Sequence, residues 1–335
     1  MRTPHRPLKI VIPGGSGHLG RVMTRHFVAA GHVVAVIGRG SLPASVAGPR
    51  VRFARWDGRT LDPTWAKEID GADVVLNLAG RSVDCRYNKR NLSEMLFSRL
   101  DSARVVGEAI AAASSPPSVW LQMSTATIYA HTEEGENDEQ SGVIGGFERG
   151  AEPYWRYSVH IAQAWERAQS DAATPTTRKV ALRSAMVMSR EPGGPFRVLA
   201  GLVRCGLGGP IAGGRMSLSW IHEKDFAGAI DLLIADGAVS GPVNLAAPEP
   251  LPQREFMAAI GRGQKTSGRR GFRVPLALPA YRWMIHAGAV LLRTDPELIL
   301  KSRRVVSSTL REHGFKFEFP RWSQAAIELT AGADS

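Results

Sequence analysis

The sequence predicts an α/β protein with a doubly wound parallel sheet and a smaller C-terminal substrate domain. Through the first two-thirds of the 335 residues, apolar β-branched runs alternate with amphipathic stretches, which is typical of βαβ units. A glycine-rich turn follows the first apolar run and opens the first helical stretch. After residue 190, segments rich in glycine and proline break the alternation, which indicates a region of different organisation.

The predicted elements follow one another as a parallel sheet requires. Short apolar runs predict strands at 9–13, 32–37, 74–78, 119–123 and 180–188. Helical periodicity predicts helices at about 17–30, 91–113 and 155–170. We assign residues 8–190 to the sheet domain, with a return to the sheet at about 218–248. The smaller substrate-side region takes residues 191–217 and 249–325, with a proline-rich bend at 274–279.

Composition excludes several classes of protein. The hydrophobic content of 44% is enough for a large core. No window reaches the roughly 18 apolar residues that span a bilayer, the best candidate being 284–292. The N-terminus carries no export signal, so we expect a cytoplasmic protein. Cys85 and Cys205 lack metal-binding spacing, and we expect two buried thiols and no metal.

The net charge of +11 would suit an anionic partner. The densest basic run, at 262–273, is interleaved with glycine and serine rather than with the aromatic residues that stack on bases. A solvated loop explains this run better than a nucleic-acid site does. We therefore expect a small-molecule substrate rather than a nucleic-acid partner, no membrane partner, and a monomer or a homodimer.

A glycine-rich turn joins the first predicted strand to the first predicted helix. Its glycines suit a tight turn, a close approach to a pyrophosphate and close packing of helix on strand. N–H groups at the helix start and the helix dipole favour phosphates. This context predicts a dinucleotide site of the Rossmann type. Its residues are Gly14, Gly15, Ser16, Gly17, His18, Leu19 and Gly20.

The end of the second predicted strand indicates which dinucleotide binds. NAD-specific enzymes place an acidic residue there for the ribose 2′-hydroxyl, whereas this chain has Arg39, a permanent cation suited to a 2′-phosphate. We therefore predict NADP(H), the alternative being that Arg39 is an ordinary surface arginine. Asp57 is a candidate contact for the adenine amino group. Leu78, Ala79 and Gly80, at the end of a later strand, complete the predicted cofactor site.

These motifs resemble those of the extended short-chain dehydrogenases/reductases. Blocks at 206–210, 219–225 and 241–248 narrow the resemblance to an atypical branch. Its members are labelled epimerase-family or NAD-dependent epimerase/dehydratase-like proteins and carry a small C-terminal domain, which 300–306 and 314–320 also resemble. The resemblance covers about residues 8 to 325. It implies the fold and a nucleotide cofactor, but it does not identify the substrate.

In the wider superfamily, a Ser or Thr, a Tyr and a Lys four residues after the Tyr carry the chemistry, since positions i and i+4 share a helix face. The strand end at 122–129 resembles the family's serine-rich segment and offers Thr125 first and Ser124 second. Alternatively, these hydroxyls satisfy backbone groups at the strand end. Tyr157 matches the tyrosine, but Ile161 stands at the lysine position.

The missing lysine limits the predicted chemistry. A tyrosine with a pKa near 10 is about one part in a thousand phenolate at neutral pH, a deficit of roughly 4 kcal/mol. His160, three residues after Tyr157, is a candidate proton donor or acceptor. The alternative is a surface or packing role for His160. We expect His222 to be structural.

Acidic residues crowd the loop at 131–142, directly after the predicted catalytic strand. Such runs are usually solvated. This loop, however, occupies the position after the strand at which a lid over a substrate cleft would lie. Arg81, Arg86 and Arg215 are candidates for binding an anionic substrate.

Together these features predict an NADP(H)-dependent oxidoreductase or epimerase acting on a small, sugar-like or anionic substrate, with hydride transfer at the nicotinamide. The alternative is a non-catalytic NADP(H)-binding sensor or scaffold protein, which the missing lysine favours. A third hypothesis is a basic protein that associates with nucleic acid and has the same fold.

Overall fold

The computed structural model describes residues 6–83, 85–148, 151, 153–211, 213–266, 302 and 304–331. The predicted bend at 274–279 and the apolar stretch at 284–292 lie outside the described residues, as do parts of 262–273 and 300–306. No described helix is long and apolar enough to cross a membrane. Within the same residues, no group of three or more His, Cys, Asp or Glu is arranged to hold a metal.

The described residues form strands and helices that alternate along the chain. The strands are β1 (Lys9–Pro13), β2 (Val33–Gly38), β3 (Val51–Arg55), β4 (Val74–Asn77), β5 (Val119–Thr125), β6 (Arg178–Ser184), β7 (Met186–Met188), β8 (Ser217–Leu218), β9 (Trp220–His222), β10 (Gly241–Leu245) and β11 (Leu251–Pro252). The helices are α1 (His18–Ala29), α2 (Pro63–Ala66), α3 (Lys89–Ala112), α4 (Pro153–Ser170), α5 (Pro195–Arg204), α6 (Glu223–Ala235), α7 (Gln253–Thr266), α8 (Ser308–Glu312) and α9 (Trp322–Ala331).

Seven strands form one parallel sheet in the order β3-β2-β1-β4-β5-β6-β10. The chain builds outwards from β1 to β3 and then crosses to β4 on the other side of β1. This reversal of direction creates a crevice at the carboxyl ends of β1 and β4, which is where doubly wound sheets bind ligands. The predicted Rossmann-type sheet is confirmed.

Amphipathic helices cover both faces of the sheet with their apolar sides. Because side chains alternate along a strand, Ile10 and Ile12 of β1 pack in the core that includes α1 and α6, whereas Val11 packs in the core that includes α3. Burial on both faces explains why these strands are almost continuously apolar in sequence.

A further apolar cluster lies among the elements from β7 to α9. The Trp322 ring stacks on Phe256, with 3.9 Å between ring centroids and 9° between ring planes, and it meets Trp220 edge-on. Two short strand pairs, β8 with β11 and β7 with β9, accompany the cluster. It draws on both ranges assigned to the smaller region, whose boundaries stay a prediction.

The structure differs from the sequence-based expectations in two places. The strand predicted at 180–188 is two strands, because β6 pairs within the large sheet while β7 pairs with β9. A short, mostly apolar segment does not indicate which strand it will pair with. The expectation of two buried thiols is wrong. Cys85 is half-buried, and Cys205 is exposed at the C-terminal end of α5.

Candidate functional site

The turn between β1 and α1 is shaped by glycine. Gly14 has φ +82°, and a Cβ built there would lie 2.7 Å from the amide nitrogen of Ala79, just after β4. A Cβ on Gly20 would overlap the backbone of Gly15. Gly17 precedes α1 and donates its N–H to the Gly14 carbonyl at 2.9 Å. The result is a tight turn in which Ser16 alone of residues 14–17 carries a side chain, and it leads into a helix N-terminus, where N–H groups lack intrahelical acceptors.

A later part of the chain holds this turn in place. The His18 Nε2 lies 2.6 Å from the Ser189 hydroxyl. Arg21 donates to the Ser16 carbonyl at 2.8 Å and to the Glu191 carboxylate at 2.5 Å. Burial lowers the pKa of His18 to about 4, so its ring is neutral at pH 7. The ring of His18 packs against the loop after β7. The neighbouring Leu19 packs against the apolar core.

Arg39 and Asp57 lie beyond the carboxyl ends of β2 and β3. Arg39 is exposed, next to Gly38, whose missing side chain leaves room for the Ser16 hydroxyl. The Asp57 carboxylate accepts hydrogen bonds from Thr60 and from the Arg59 N–H, and these lower its pKa to about 2. Asp57 therefore stabilises its own loop as an anion.

The end of β4 is fixed by a buried amide pair. The Asn77 side chain donates to the Gln122 side chain at 2.9 Å and accepts the Ala79 N–H at 3.0 Å. This places Leu78, Ala79 and Gly80 between the glycine turn on one side and a pocket on the other, because Leu78 and Gly80 line that pocket.

The pocket has a volume of about 320 Å³ and lies at the carboxyl ends of β4, β5 and β6. Its wall combines apolar side chains with hydroxyl groups and one guanidinium. The lining residues are Leu78, Gly80, Val83, Tyr87, Met95, Arg99, Met123, Ser124, Thr125, Ala126, Thr127, Ser158, Ile161, Trp165, Ser184, Ala185, Met186, Ser217, Leu218 and Ser219.

Ser124 and Thr125, the predicted catalytic hydroxyls, both line the pocket but have different partners. The Ser124 hydroxyl is buried and donates to the Glu166 carboxylate at 2.6 Å. Thr125 is half-buried; its hydroxyl donates to the Thr127 hydroxyl at 2.9 Å and accepts the Thr127 N–H at 3.1 Å. Thr125 is thus the more accessible hydroxyl, and it also caps the turn after β5.

The side of α4 that lines the pocket includes the lysine position of the motif, but neither Tyr157 nor His160 is among the described lining residues. The residues of α4 that line the pocket are Ser158, Ile161 and Trp165. At about 100° per residue, the side chain of residue 160 projects from a different side of the helix than those of 158, 161 and 165. His160 is exposed, and its ring lies 6.1 Å from that of Tyr157. The residue at the lysine position, Ile161, does face the pocket.

Sequence analysis missed the charged group in the pocket wall, Arg99 of α3. Its side chain is buried, donates to the Met95 carbonyl at 2.9 Å and lies over the Trp165 ring at 4.9 Å. An arginine on the buried stripe of an amphipathic helix was the available signal. Of the arginines proposed from the sequence, Arg81 forms an ion pair with Glu94.

The remaining sequence-predicted arginines, Arg86 and Arg215, are exposed and are not among the described residues that line the pocket. In the acidic loop, Glu139 accepts hydrogen bonds from Ser307, Ser308 and the Asn244 N–H. This residue therefore attaches the loop to β10 and α8. As expected, His222 has structural contacts: its buried ring caps α6 and stacks on Phe319.

Sequence comparison matches residues 10–246 to the NAD dependent epimerase/dehydratase family and residues 282–329 to a domain of unknown function, DUF1731. Epimerase family protein SDR39U1 of Homo sapiens is 28% identical, over 97% of this chain and 100% of the human protein. Epimerase family protein YfhF of Bacillus subtilis (strain 168) is 26% identical, over 97% of this chain and 98% of that protein.

Solved structures show the same fold. The crystal structure of human SDR39U1 (isoform2) with NADPH aligns with a TM-score of 0.78 and 27% identity, over 96% of this chain and 99% of the human chain. UDP-N-acetylglucosamine 4-epimerase from Bacillus cereus aligns with a TM-score of 0.71 and 16% identity, over 98% of this chain and all of that chain. The second likeness is one of fold alone.

The predicted resemblance is therefore confirmed. The first matched region runs from β1 through the glycine turn and the pocket to the end of β10, and the second begins in the segment assigned to the small C-terminal region. The chain belongs to the NAD dependent epimerase/dehydratase family.

Proposed function

We propose that this chain is an NADP(H)-dependent oxidoreductase or epimerase that acts on a small substrate. The observation that carries the proposal is the continuity of the site. The glycine turn contacts the end of β4, and the same strand end lines a pocket that contains hydroxyl groups. A dinucleotide site that opens directly into a ligand-sized pocket suits a reaction at the nicotinamide.

The residues present fit a dinucleotide, because the glycines of the turn carry no side chains that would block a pyrophosphate from the backbone. Gly14 to Gly20 would hold the phosphates, and Arg39 the 2′-phosphate. Asp57 and the strand end Leu78–Gly80 would flank the adenosine and ribose. The NADPH in the human SDR39U1 structure supports the choice of NADP(H). When bound, the cofactor would supply the hydride.

The chain's own contribution is to orient the substrate and to move a proton. Thr125 is the leading candidate to hold a substrate oxygen, with Ser124 second. Tyr157 and His160 stay candidates for proton transfer, although neither is among the described lining residues. Since Ile161 occupies the lysine position, α4 offers the pocket no ammonium to lower a tyrosine pKa. Turnover slower than that of an enzyme with the lysine is therefore expected.

The same substitution favours a second candidate function, a non-catalytic NADP(H) sensor or scaffold protein. The apolar Ile161 side chain lines the pocket where the superfamily's catalytic cation would lie. A protein that only binds cofactor does not need that cation. We retain for either function the proposed sheet domain at 8–190, the smaller region at 191–217 and 249–325, and a cytoplasmic location.

A cofactor titration tests the proposal. NADPH and NADH are titrated into the protein while nicotinamide fluorescence is followed, with Arg39→Ala as the variant. We expect tighter binding of NADPH than of NADH, and a loss of that preference in Arg39→Ala of roughly tenfold to hundredfold, the usual worth of a charge-assisted hydrogen bond. Arg52→Ala, also exposed but near the amino end of β3, is the matched control and should bind NADPH normally.

Binding of neither dinucleotide would overturn both the enzyme and the sensor. If NADPH binds, its absorbance is then followed with a panel of sugar nucleotides and small carbonyl acids. Catalytic oxidation of NADPH, or epimerisation detected by chromatography, supports the enzyme. Tight binding without turnover of any substrate in the panel supports the sensor.

A further inference from the structure

Arg99 is a buried cation without an anionic partner among the described residues. It is 9% exposed, and it lines the pocket. The one hydrogen bond that its guanidinium makes to the described residues runs from Nη1 to the Met95 carbonyl of its own helix. A guanidinium has five N–H donors in a planar fork, so most of its donors are unused by the described residues.

Among the described residues, an aromatic ring rather than an anion accompanies the buried charge of Arg99. Trp165 lies against the guanidinium face, and Met95 adds apolar surface to the pocket wall. Burial lowers the pKa of Arg99 to about 10, and the groups that oppose this lowering are Tyr87 and Cys85 rather than a carboxylate. The group is still a cation at pH 7. Burying such a charge is costly unless something pairs with it.

A second donor lies beside it. The indole N–H of Trp165 is buried and has no hydrogen-bond partner among the described residues. Trp165, Arg99 and Tyr87 line the same pocket. Unsatisfied buried donors are rare in folded proteins, so the Trp165 N–H, together with the unused donors of Arg99 in the same wall, indicates a ligand with acceptor oxygens.

We propose that Arg99 binds an anionic group of the substrate, a carboxylate or a phosphate, so that the substrate is a small acid. This inference rests on the proposed function, since it concerns the substrate of the same pocket. The planar fork of arginine matches the two oxygens of either group. The volume of about 320 Å³ lies at the lower end of the range for ligand pockets, which favours a small acid.

The phosphates of the cofactor do not account for Arg99. The proposed sites for the pyrophosphate and the 2′-phosphate are the start of α1 and Arg39, beyond β1 and β2. Arg99 comes from α3 and lines the pocket with Val83 and Tyr87 of the segment between β4 and α3. The guanidinium is therefore available to a second ligand.

The test uses the full chain saturated with NADPH and follows both nicotinamide fluorescence and Tm. The probes are sodium acetate, its uncharged analogue acetamide, and inorganic phosphate. We expect acetate, phosphate or both to bind with millimolar Kd and acetamide not to bind. Acetate and phosphate distinguish the carboxylate from the phosphate. In Arg99→Met the anion affinity should fall roughly tenfold to hundredfold, the usual worth of a charged hydrogen bond, while NADPH affinity is unchanged.

Two further variants keep the test decisive. Arg99→Lys retains the charge and should keep part of the anion affinity. Arg104→Met removes an exposed arginine from the same helix, paired with Glu108, and should behave as the unaltered protein. Because an unpaired buried charge does not stabilise the fold, Arg99→Met should have an equal or higher Tm without ligand. A lower Tm would assign Arg99 a structural role and overturn the inference.

Other outcomes also overturn it: acetamide binding as well as acetate, no anion binding at millimolar concentrations, or a parallel loss of NADPH binding in Arg99→Met. Each is distinguishable from failure of the proposed function, in which the unaltered protein itself binds no NADPH. In that event the anion titration of the cofactor-free protein still decides whether Arg99 binds anions.

Discussion

Gly14 illustrates how one residue connects backbone geometry to cofactor binding. Its φ of +82° costs an L-residue about 1–2 kcal/mol, and a Cβ would lie 2.7 Å from the Ala79 nitrogen, where only backbone could move aside. We predict that Gly14→Ala displaces the strand end from the turn. Thermal unfolding should show a lower Tm, and fluorescence titration should show NADPH binding weakened at least about tenfold.

Gly31 provides the matched control. Its φ is +89°, but a Cβ there would meet nothing within 4 Å. Gly31→Ala should therefore lose about 1 kcal/mol of stability from the backbone conformation alone and leave NADPH binding intact. Equal effects of the two substitutions on NADPH affinity would show that the contact with Ala79 is unimportant.

Single residues also show what a sequence can and cannot predict about a site. The glycines are predictable because the turn leaves a repeated local pattern. Arg99 leaves only a weaker signal, an arginine on the buried stripe of α3, because its place in the pocket depends on packing between α3 and α4, which are far apart along the chain. For the same reason, the spacing of Tyr157 and Ile161 predicts a shared helix face, but not that Ile161 lines the pocket while Tyr157 is not among its described lining residues.

At the scale of elements, an ion pair joins α4 to β6 behind the pocket wall. Glu166 accepts two hydrogen bonds from Arg183, each at 2.8 Å, and one from Ser124 of β5. Arg183 also donates to the Tyr129 hydroxyl at 3.1 Å. Burial works against the charge on Arg183, but the hydrogen bonds and charge of Glu166 outweigh it and raise the pKa of the guanidinium.

This pair predicts an element-scale stability effect. Glu166→Gln leaves Arg183 buried without a counter-charge, so the free energy of unfolding should fall by about 3 kcal/mol in urea titrations. Glu108→Gln breaks an exposed ion pair with Arg104 within α3. This substitution should change the free energy of unfolding by less than about 0.5 kcal/mol. A loss of stability in Glu166→Gln as small as that expected for Glu108→Gln would mean that Glu166 does not stabilise the wall of the pocket.

Element types were more predictable than element partners. The helices at α1, α3 and α4 were predicted within about two residues, because each has a long amphipathic pattern. The sequence does not predict the break between β6 and β7, since the two strands are nearly contiguous in sequence and differ in the strands with which they pair. Pairing depends on residues distant in sequence, which local periodicity does not encode.

At the scale of the whole molecule, contacts distant in sequence connect the first βαβ unit to later elements. His18, at the start of α1, contacts Ser189 after β7, and Glu191 pairs with Arg21 and Arg25 of α1. The His222 ring is likewise buried between elements, stacked on Phe319 at 4.0 Å. His222 is therefore buried, and His18 half-buried, at junctions that exist only in the folded chain.

These junctions predict how stability depends on pH. Burial lowers the pKa of His18 to about 4 and also lowers that of His222. An unfolded histidine titrates near 6.5, so as pH falls from about 6.5 towards about 4 the unfolded chain binds more protons than the folded chain. Both histidines should then destabilise the fold progressively as the pH falls.

The His18→Gln variant isolates one of these contributions, because glutamine keeps a polar side chain but does not titrate. Its free energy of unfolding in urea should decline less between about pH 6.5 and about pH 4 than that of the unaltered protein. The two proteins should differ by a constant amount above about pH 7.5, where the histidine is neutral in both states. The same slope in both proteins below pH 6.5 would show that His18 is not held neutral by its burial against the loop after β7.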